Sequence, residues 1–262
     1  DDDVRTTGTI LPLKASGHTY GDEIDTQPAA WSNLELRLDA RVSSEDDIRA
    51  LGIHVGDIVA VHAEPVFSDT GFITARHLDD KAGVAVVLAA TKALRDNDVQ
   101  LPLDCHLLFT ISEEVGVGAS HILHGDVAEM LSVDNGTIAS VQYTCDYGVT
   151  IAMQDSTGPF DWHLTRSLLR LCRNYDIEHS RDVFNHYRSD AAAALEAGND
   201  IRTALVCFGL DASHGYERVH LDSLTSLARL LVLYVQSPAL FDRDRAQLGP
   251  LGDLPPAEED GP

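Results

Sequence analysis

The sequence predicts an α/β protein, with a mixed-sheet α/β sandwich over residues 74–237 preceded by a small β-barrel-like domain over residues 1–73. Three observations lead there. From about residue 74, apolar runs of strand length alternate with longer runs of helical period, as in a sheet covered by helices. Before that point, short alternating runs separated by Gly and Pro read as an all-β module. Ligand-type polar residues fall where the later apolar runs break, which is where an α/β sheet carries its chemistry.

In the first module, GTILPL (8–13), the alternation of Leu34, Leu36 and Leu38 with Glu35, Arg37 and Asp39, and DIVAVHAEP (57–65) read as strands. GHTYGDEID (17–25) reads as a polar loop. One short helix interrupts them: Ser44 supplies the N-cap, Glu45, Asp46 and Asp47 an acidic first turn, and Gly52 the stop. In the larger domain, Lys81–Leu94 reads as a buried helix and LDCHLLFTIS (103–112) as a strand. MLSV (130–133) is an apolar strand end, and IASVQYTCDYGVTIAMQDS (138–156) reads as two further strands. Phe160, Leu164, Leu168 and Leu171 share one helical face. Ala191–Ala197 is a short helix and TALVCFGL (203–210) a strand. Asp222 is the expected cap of a last helix carrying Leu224, Leu227, Leu231 and Tyr234. The Pro/Gly/Asp/Glu-rich stretch 238–262 reads as a disordered acidic tail.

A formal net charge of -23 over 262 residues opposes nucleic acid and anionic membrane surfaces, which need clustered Lys and Arg. No run approaches the roughly 18 apolar residues of a membrane helix. The start, DDDVRTTG, has no secretory-signal pattern. Cys105, Cys145, Cys172 and Cys207 are widely spaced and form no CxxC pair, so buried thiols in a reducing cytoplasm are expected.

Asp79 in HLDDKAG, Glu113 and Glu114 in FTISEEVG, Asp134 in SVDNG and His214 in DASHGYE each sit at a break of this kind. Singly, each has an ordinary reading as a helix cap, a solvated acidic turn, a turn-forming Asp or a surface His. Jointly, they form an oxygen-rich set with one imidazole. Such a set suits two divalent cations, zinc or cobalt, held about 3.5–4 Å apart by a shared carboxylate. Of the other histidines, His77 is a weak extra candidate two residues before Asp79. His54, His106, His163 and His179 read as packing or surface residues, and His121 and His124 as helical.

The motif order HLDDKAG, SEEVG, VDNG, YRSDAAAALEAG, then SHG before HLDS, resembles the tetrahedral aminopeptidases of the glutamyl aminopeptidase and endoglucanase-M-like family, peptidase clan MH. ILPLKASGHTYGDEIDTQP and GVTIAMQDSTGPFDWHLTR resemble its branch associated with the osmoprotectant N-acetylglutaminylglutamine amide. The resemblance implies a zinc-exopeptidase-like larger domain and a metal-dependent aminopeptidase of short peptides or peptide-like amides. Asp79 would bridge two metals, Glu113 act as general base, Glu114 and His214 complete one metal site, and Asp134 belong to the other. Asp190 would lie near the substrate. The β module would be the family's inserted dimerisation domain, helping to assemble a dodecamer. The family's first metal ligand, a His in an His-x-Asp pattern upstream of the β domain, has no counterpart here, so the larger domain is expected to be incomplete at its N-terminal side. The alternative activities are a related deacylase or carboxypeptidase, or a non-catalytic assembly or binding role.

Overall fold

The computed structural model describes residues 5–123 and 125–241. His124 and the 242–262 part of the expected acidic tail lie outside the described residues. Contacts divide the chain into two units, Asp1–Val61 and His62–Pro262.

In the first unit, β1 (Gly8–Pro12) pairs antiparallel with β2 (Leu34–Leu38), Gly8 opposite Leu38 and Pro12 opposite Leu34. The connecting segment, expected as a polar loop, coils into α1 (Gly17–Tyr20) and α2 (Glu23–Thr26), tethered by a Lys14–Glu23 ion pair. α3 (Glu45–Ala50) starts on the expected Ser44. The Asp47 amide donates to Ser44 Oγ at 3.2 Å, and the Ser44 amide donates back to Asp47 Oδ2 at 3.0 Å, a reciprocal cap. The barrel-like expectation is not met among the described residues. Closure needs every strand flanked on both sides, whereas β1 and β2 form a two-stranded ribbon and the 57–65 segment joins no ladder.

The second unit contains, in chain order, β3 (Val66–Phe67), β4 (Phe72–Ala75), α4 (Leu78–Asp96), β5 (Glu129–Thr137), β6 (Val149–Asp155), β7 (Gly158–Pro159), α5 (Trp162–Asn174), β8 (His179–Val183), α6 (Asp190–Glu196), β9 (Arg202–Asp211), β10 (Glu217–His220) and α7 (Leu221–Val235). Its eight strands form one mixed sheet. β9 runs through the centre. It pairs in parallel with β5 from Arg202 opposite Glu129 to Leu210 opposite Thr137, antiparallel with β6 over Leu205–Phe208, and antiparallel with β10 at Leu210 and Asp211. β10 leads on to β4 and β3, and β6 to β7 and, in parallel, β8.

The two-residue period of a strand sorts β9 between two faces. Ala204, Val206, Phe208 and Leu210 join Val149 and Ile151 in a core covered by Ala82, Val86 and Ala90 of α4, Leu164, Leu168 and Leu169 of α5, and Leu227 and Leu230 of α7. Leu205 and Cys207 face the other way, onto Ala152, Phe160, Phe184 and Ala191 of α6. Burying each Leu of this kind stabilises the fold by about 1.5–3 kcal/mol. α5 begins at Trp162, capped by Asp161 Oδ1, which accepts from the Leu164 amide at 2.7 Å, so Phe160 precedes the helix and packs in the second core rather than on the face expected with Leu164, Leu168 and Leu171.

Several expectations need correction. The 103–112 segment forms no ladder with any described residue, and Leu103, Leu107, Phe109 and Ile111 stay exposed. A β-patterned segment becomes a strand only when a neighbour takes its amides. Residues 138–148 also leave the sheet, because the buried Asp182 carboxylate accepts the Tyr143 and Thr144 amides, each at 2.8 Å, in place of a strand partner. His220, not Asp222, caps α7: its Nδ1 accepts the Asp222 amide at 3.0 Å. The ring is fixed for this by packing against Phe72 and Tyr147 and by a 2.8 Å contact of Nε2 with the Thr70 carbonyl. All four cysteines are free, but only Cys172 and Cys207 are buried, while Cys105 and Cys145 are exposed. No helix among the described residues is long and apolar enough to cross a membrane.

Candidate metal centre

Four segments bring the site residues together, three of them on or beside the sheet. The first follows β4. The chain turns through His77 at φ 65° and enters α4, with Asp79 and Asp80 still in non-helical conformations. Their carboxylates can therefore project ahead of the helix rather than along it. The second is β5. Asp134 and Asn135 lie within this strand, opposite Cys207 and Phe208, where the sequence suggests its end. Both are buried. The third is the β9–β10 connection, where His214 adopts φ 65°. Glu113 and Glu114 come from a single 3-10 turn, Glu113–Val115, closed by Gly116 at φ 78°, a conformation that costs little without a Cβ.

The geometry converges on Asp79, whose side chain is 7% exposed. His214 Nε2 lies 3.5 Å from Asp79 Oδ2 and 3.2 Å from Glu114 Oε2. Asn135 Nδ2 donates to the same Asp79 oxygen at 2.8 Å and to Asp134 Oδ1 at 3.2 Å, so one amide spaces the two carboxylates. Two sets of possible ligand atoms result, each lying within 4.8 Å of one another: Asp79, Glu114 and His214, and Asp79, Asp80 and Asp134. Asp79 belongs to both.

Crowding and burial favour the neutral forms of these acids. Burial, then Glu114, pushes Asp79 up to about 6, partly offset by His214. Burial, then Asp134 and Asp79, pushes Asp80 up to about 9. Asp134 rises to about 8, chiefly through burial and secondarily through Asp79 and Glu113. Glu113 rises to about 7 through burial, Asp190 and Glu114. The buried Tyr187 hydroxyl, whose ionisation is pushed well up by burial and then by Asp134, faces the same cluster. A divalent cation would reverse these terms, because each carboxylate gains an opposite charge. The donor set fits one. It is rich in oxygen with a single imidazole, and buried Asp80 Oδ1 and Asn135 Oδ1 have no hydrogen-bond partner among the described residues, a costly condition in the absence of a ligand.

Asp79, Glu113, Glu114 and Asp134 line a cleft of about 570 Å³ together with residues 184–190 and Val141. Asp190 also lines it, but both its oxygens are engaged. Oδ2 accepts from Thr110 Oγ1 at 2.6 Å and Oδ1 from the Ala119 amide at 3.1 Å, bracing the segment that carries Glu113 and Glu114. Gly118 permits this approach, since a Cβ there would lie 2.1 Å from Asp190 Oδ1.

All five expected metal-site and base residues, Asp79, Glu113, Glu114, Asp134 and His214, line the cleft. His77 does not: β4 ends at Ala75, the intervening turn breaks the alternation, and the side chain is exposed outside both ligand sets. His121 is exposed in a bend, not a helix. Asp80, Asn135 and Glu217 are the residues that sequence reasoning passed over. Asp80 and Asn135 are neighbours of chosen residues, and Glu217 is a charged residue between Tyr216 and Arg218, three positions after His214.

Comparisons with known proteins identify the family and the fold. Residues 1–230 match the family model of the M42 glutamyl aminopeptidases. The chain is 40% identical over 232 residues to YhfE of Bacillus subtilis (strain 168), covering 88% of this chain and 67% of that protein. Among solved structures, a TET aminopeptidase from the marine sediment archaeon Thaumarchaeota archaeon SCGC AB-539-E09 superposes with TM-score 0.72 at 16% identity, covering 87% of this chain and 66% of that one. Aminopeptidase APDkam598 from Desulfurococcus kamchatkensis gives 0.68 at 22%, covering 89% and 65%. The TET1 peptidase of Pyrococcus horikoshii, which can assemble into a tetrahedron or a large octahedral shell, gives 0.65 at 22%, covering 80% and 63%. At these identities the structural likeness establishes the fold. The chain spans about two thirds of the length of these relatives.

Proposed function

The chain belongs to the M42 glutamyl aminopeptidase family, and on that footing we propose that it is a metal-dependent aminopeptidase, removing N-terminal residues from short peptides or peptide-like amides with a water activated by two metals. The observation that carries this reading is the sharing of Asp79 between two ligand sets, with Glu113 on the same cleft wall. Asp79 would hold both cations, Glu114 and His214 one of them, and Asp134 the other, with Asp80 in reach. Zinc or cobalt, when bound, lowers the pKa of water towards neutrality and polarises a scissile carbonyl.

The chain's own part is proton management and orientation. Glu113 would take the proton of the attacking water and pass it to the leaving amine. Glu113 lines the cleft and belongs to neither ligand set, which leaves its carboxylate free for both halves of that transfer. Asp190, through Thr110 and Ala119, would keep the Glu113 turn in place and influence substrate placement only through that brace.

The oligomeric TET relatives support a homo-oligomer, with the first unit as a dimerisation module and a dodecamer as the assembly. The four free thiols suit a reducing cytoplasm. A peptide-like amide of the osmoprotectant class remains the substrate suggested by the sequence resemblance.

The test uses zinc- or cobalt-loaded protein with a dipeptide amide and its N-acetylated form. Only the unblocked substrate should be cleaved, and Glu113→Gln should lower kcat by about 10²–10⁴-fold while cobalt content stays constant. Equal cleavage of the acetylated peptide would point to a deacylase, and an active Glu113→Gln would remove Glu113 from its role.

A further inference from the structure

We infer that Glu217 is a positioning residue of this site, its buried carboxylate tying the Asp79 turn to the His214 loop. The inference rests on the two-metal reading above. Glu217 opens β10 opposite Ala75, the last residue of β4, and is 1% exposed. Both of its oxygens point to the site's backbone. Oε2 accepts the amides of Leu78 at 2.6 Å and Asp79 at 3.2 Å, while Oε1 accepts the amide of His214 at 2.9 Å. One carboxylate thus binds the two segments whose side chains approach to 3.5 Å at Asp79 Oδ2 and His214 Nε2.

Two further observations give the link a purpose. Each tethered segment contains a non-glycine residue in the left-handed region, His77 at φ 65° in one, and Ala212 at φ 57° and His214 at φ 65° in the other. Such conformations persist where the surroundings over-determine them. Moreover, a buried acid is costly unless its lone pairs are filled. Three backbone amides converging on Glu217 fill them and make charge-assisted bonds, which are stronger than neutral ones. A glutamine in its place would have one accepting oxygen and one NH₂ group. It could serve one segment but would present hydrogens to the amide of the other. Glu217 belongs to neither ligand set and does not line the cleft. It acts through Asp79 and His214, as residues behind a metal ligand do when they fix the ligand's orientation.

The test compares wild-type, Glu217→Gln and Glu217→Asp full-length chains in two measurements: cobalt affinity from visible absorption on titration of metal-free protein, and amide hydrogen exchange over 76–80 and 212–216, with α5 and β9 as internal references. Glu217→Gln should weaken cobalt binding about 10–100-fold and speed exchange in both segments together, with α5 and β9 protected as in wild type. Glu217→Asp, which keeps both acceptors on a shorter stem, should recover part of both losses. Wild-type cobalt affinity in Glu217→Gln, or faster exchange everywhere including α5 and β9, would overturn the inference. Should Glu217→Gln fail to fold, Glu217→Asp is read by the same two criteria. If wild-type protein binds no cobalt, the metal reading fails. The paired exchange response then decides whether Glu217 links the two segments.

Discussion

Replacing Glu113 by Gln should stabilise metal-stripped protein, and only above mildly acidic pH. Burial, Asp190 and Glu114 raise Glu113 from its ordinary 4.5 to about 7. A group raised on folding leaves stability fully present below about pH 4.5 and withdraws it as pH climbs through about 7, because ionisation is easier in the unfolded chain. At 1.36 kcal/mol per pH unit, the full rise would be worth about 3 kcal/mol at pH 8. Glu113 is only half-buried, however, and screening by water reduces this to about 1 kcal/mol. For a domain of this size that equals about 2–4 °C in Tm. Calorimetric scans of chelator-treated wild type and Glu113→Gln should give matching Tm values near pH 4.5 and a variant more stable by that margin at pH 8. Parallel Tm curves across the range would refute the argument that Glu113 carries crowding strain within the acidic cluster.

Three further outcomes follow from packing. Leu168→Ala empties part of the face shared by α5 and β9 and should cost about 2–5 kcal/mol, read as a lower urea midpoint at unchanged m-value. Asp182→Ala orphans the amides of Tyr143 and Thr144 and the Thr144 hydroxyl. It should destabilise by about 2–4 kcal/mol and speed hydrogen exchange over 139–145, the stretch that brings Val141 and Gln142 to the cleft. Gly209→Ala places a methyl 2.2 Å from the Cys145 carbonyl oxygen, a backbone clash worth about 1–3 kcal/mol or more, measurable as a drop in Tm.

The sheet and its helices are legible in the sequence wherever a local period carries the signal. The run 203–210 reads as a strand, the spacing of Leu164, Leu168 and Leu171 as a helical face and Ser44 as a cap, and all three stand in the structure. Failures occur where a distant partner decides the outcome. Residues 103–112 have strand composition without a described neighbour, and 138–148 surrender their amides to Asp182, some 40 positions away. Nothing local announces either. In the site, Asp79, Glu113, Glu114, Asp134 and His214 stand out because each breaks an apolar run. Asn135 reads as a turn residue after Asp134, and its spacing of Asp79 from Asp134 depends on a β5 strand that continues to Thr137. Glu217 is a charge in a strand, and only its burial and its three amide partners distinguish it from a solvated acid.

The central claim is that Asp79 is the common ligand of two cation sites. The measurement that tests it most directly is metal content per chain by elemental analysis, made on wild type and Asp79→Ala after dialysis against metal-free buffer and reconstitution with zinc or cobalt. The account predicts two metals per wild-type chain and less than one in Asp79→Ala, with the fold retained by circular dichroism. Equal metal content in the two proteins, or none in either, would contradict it.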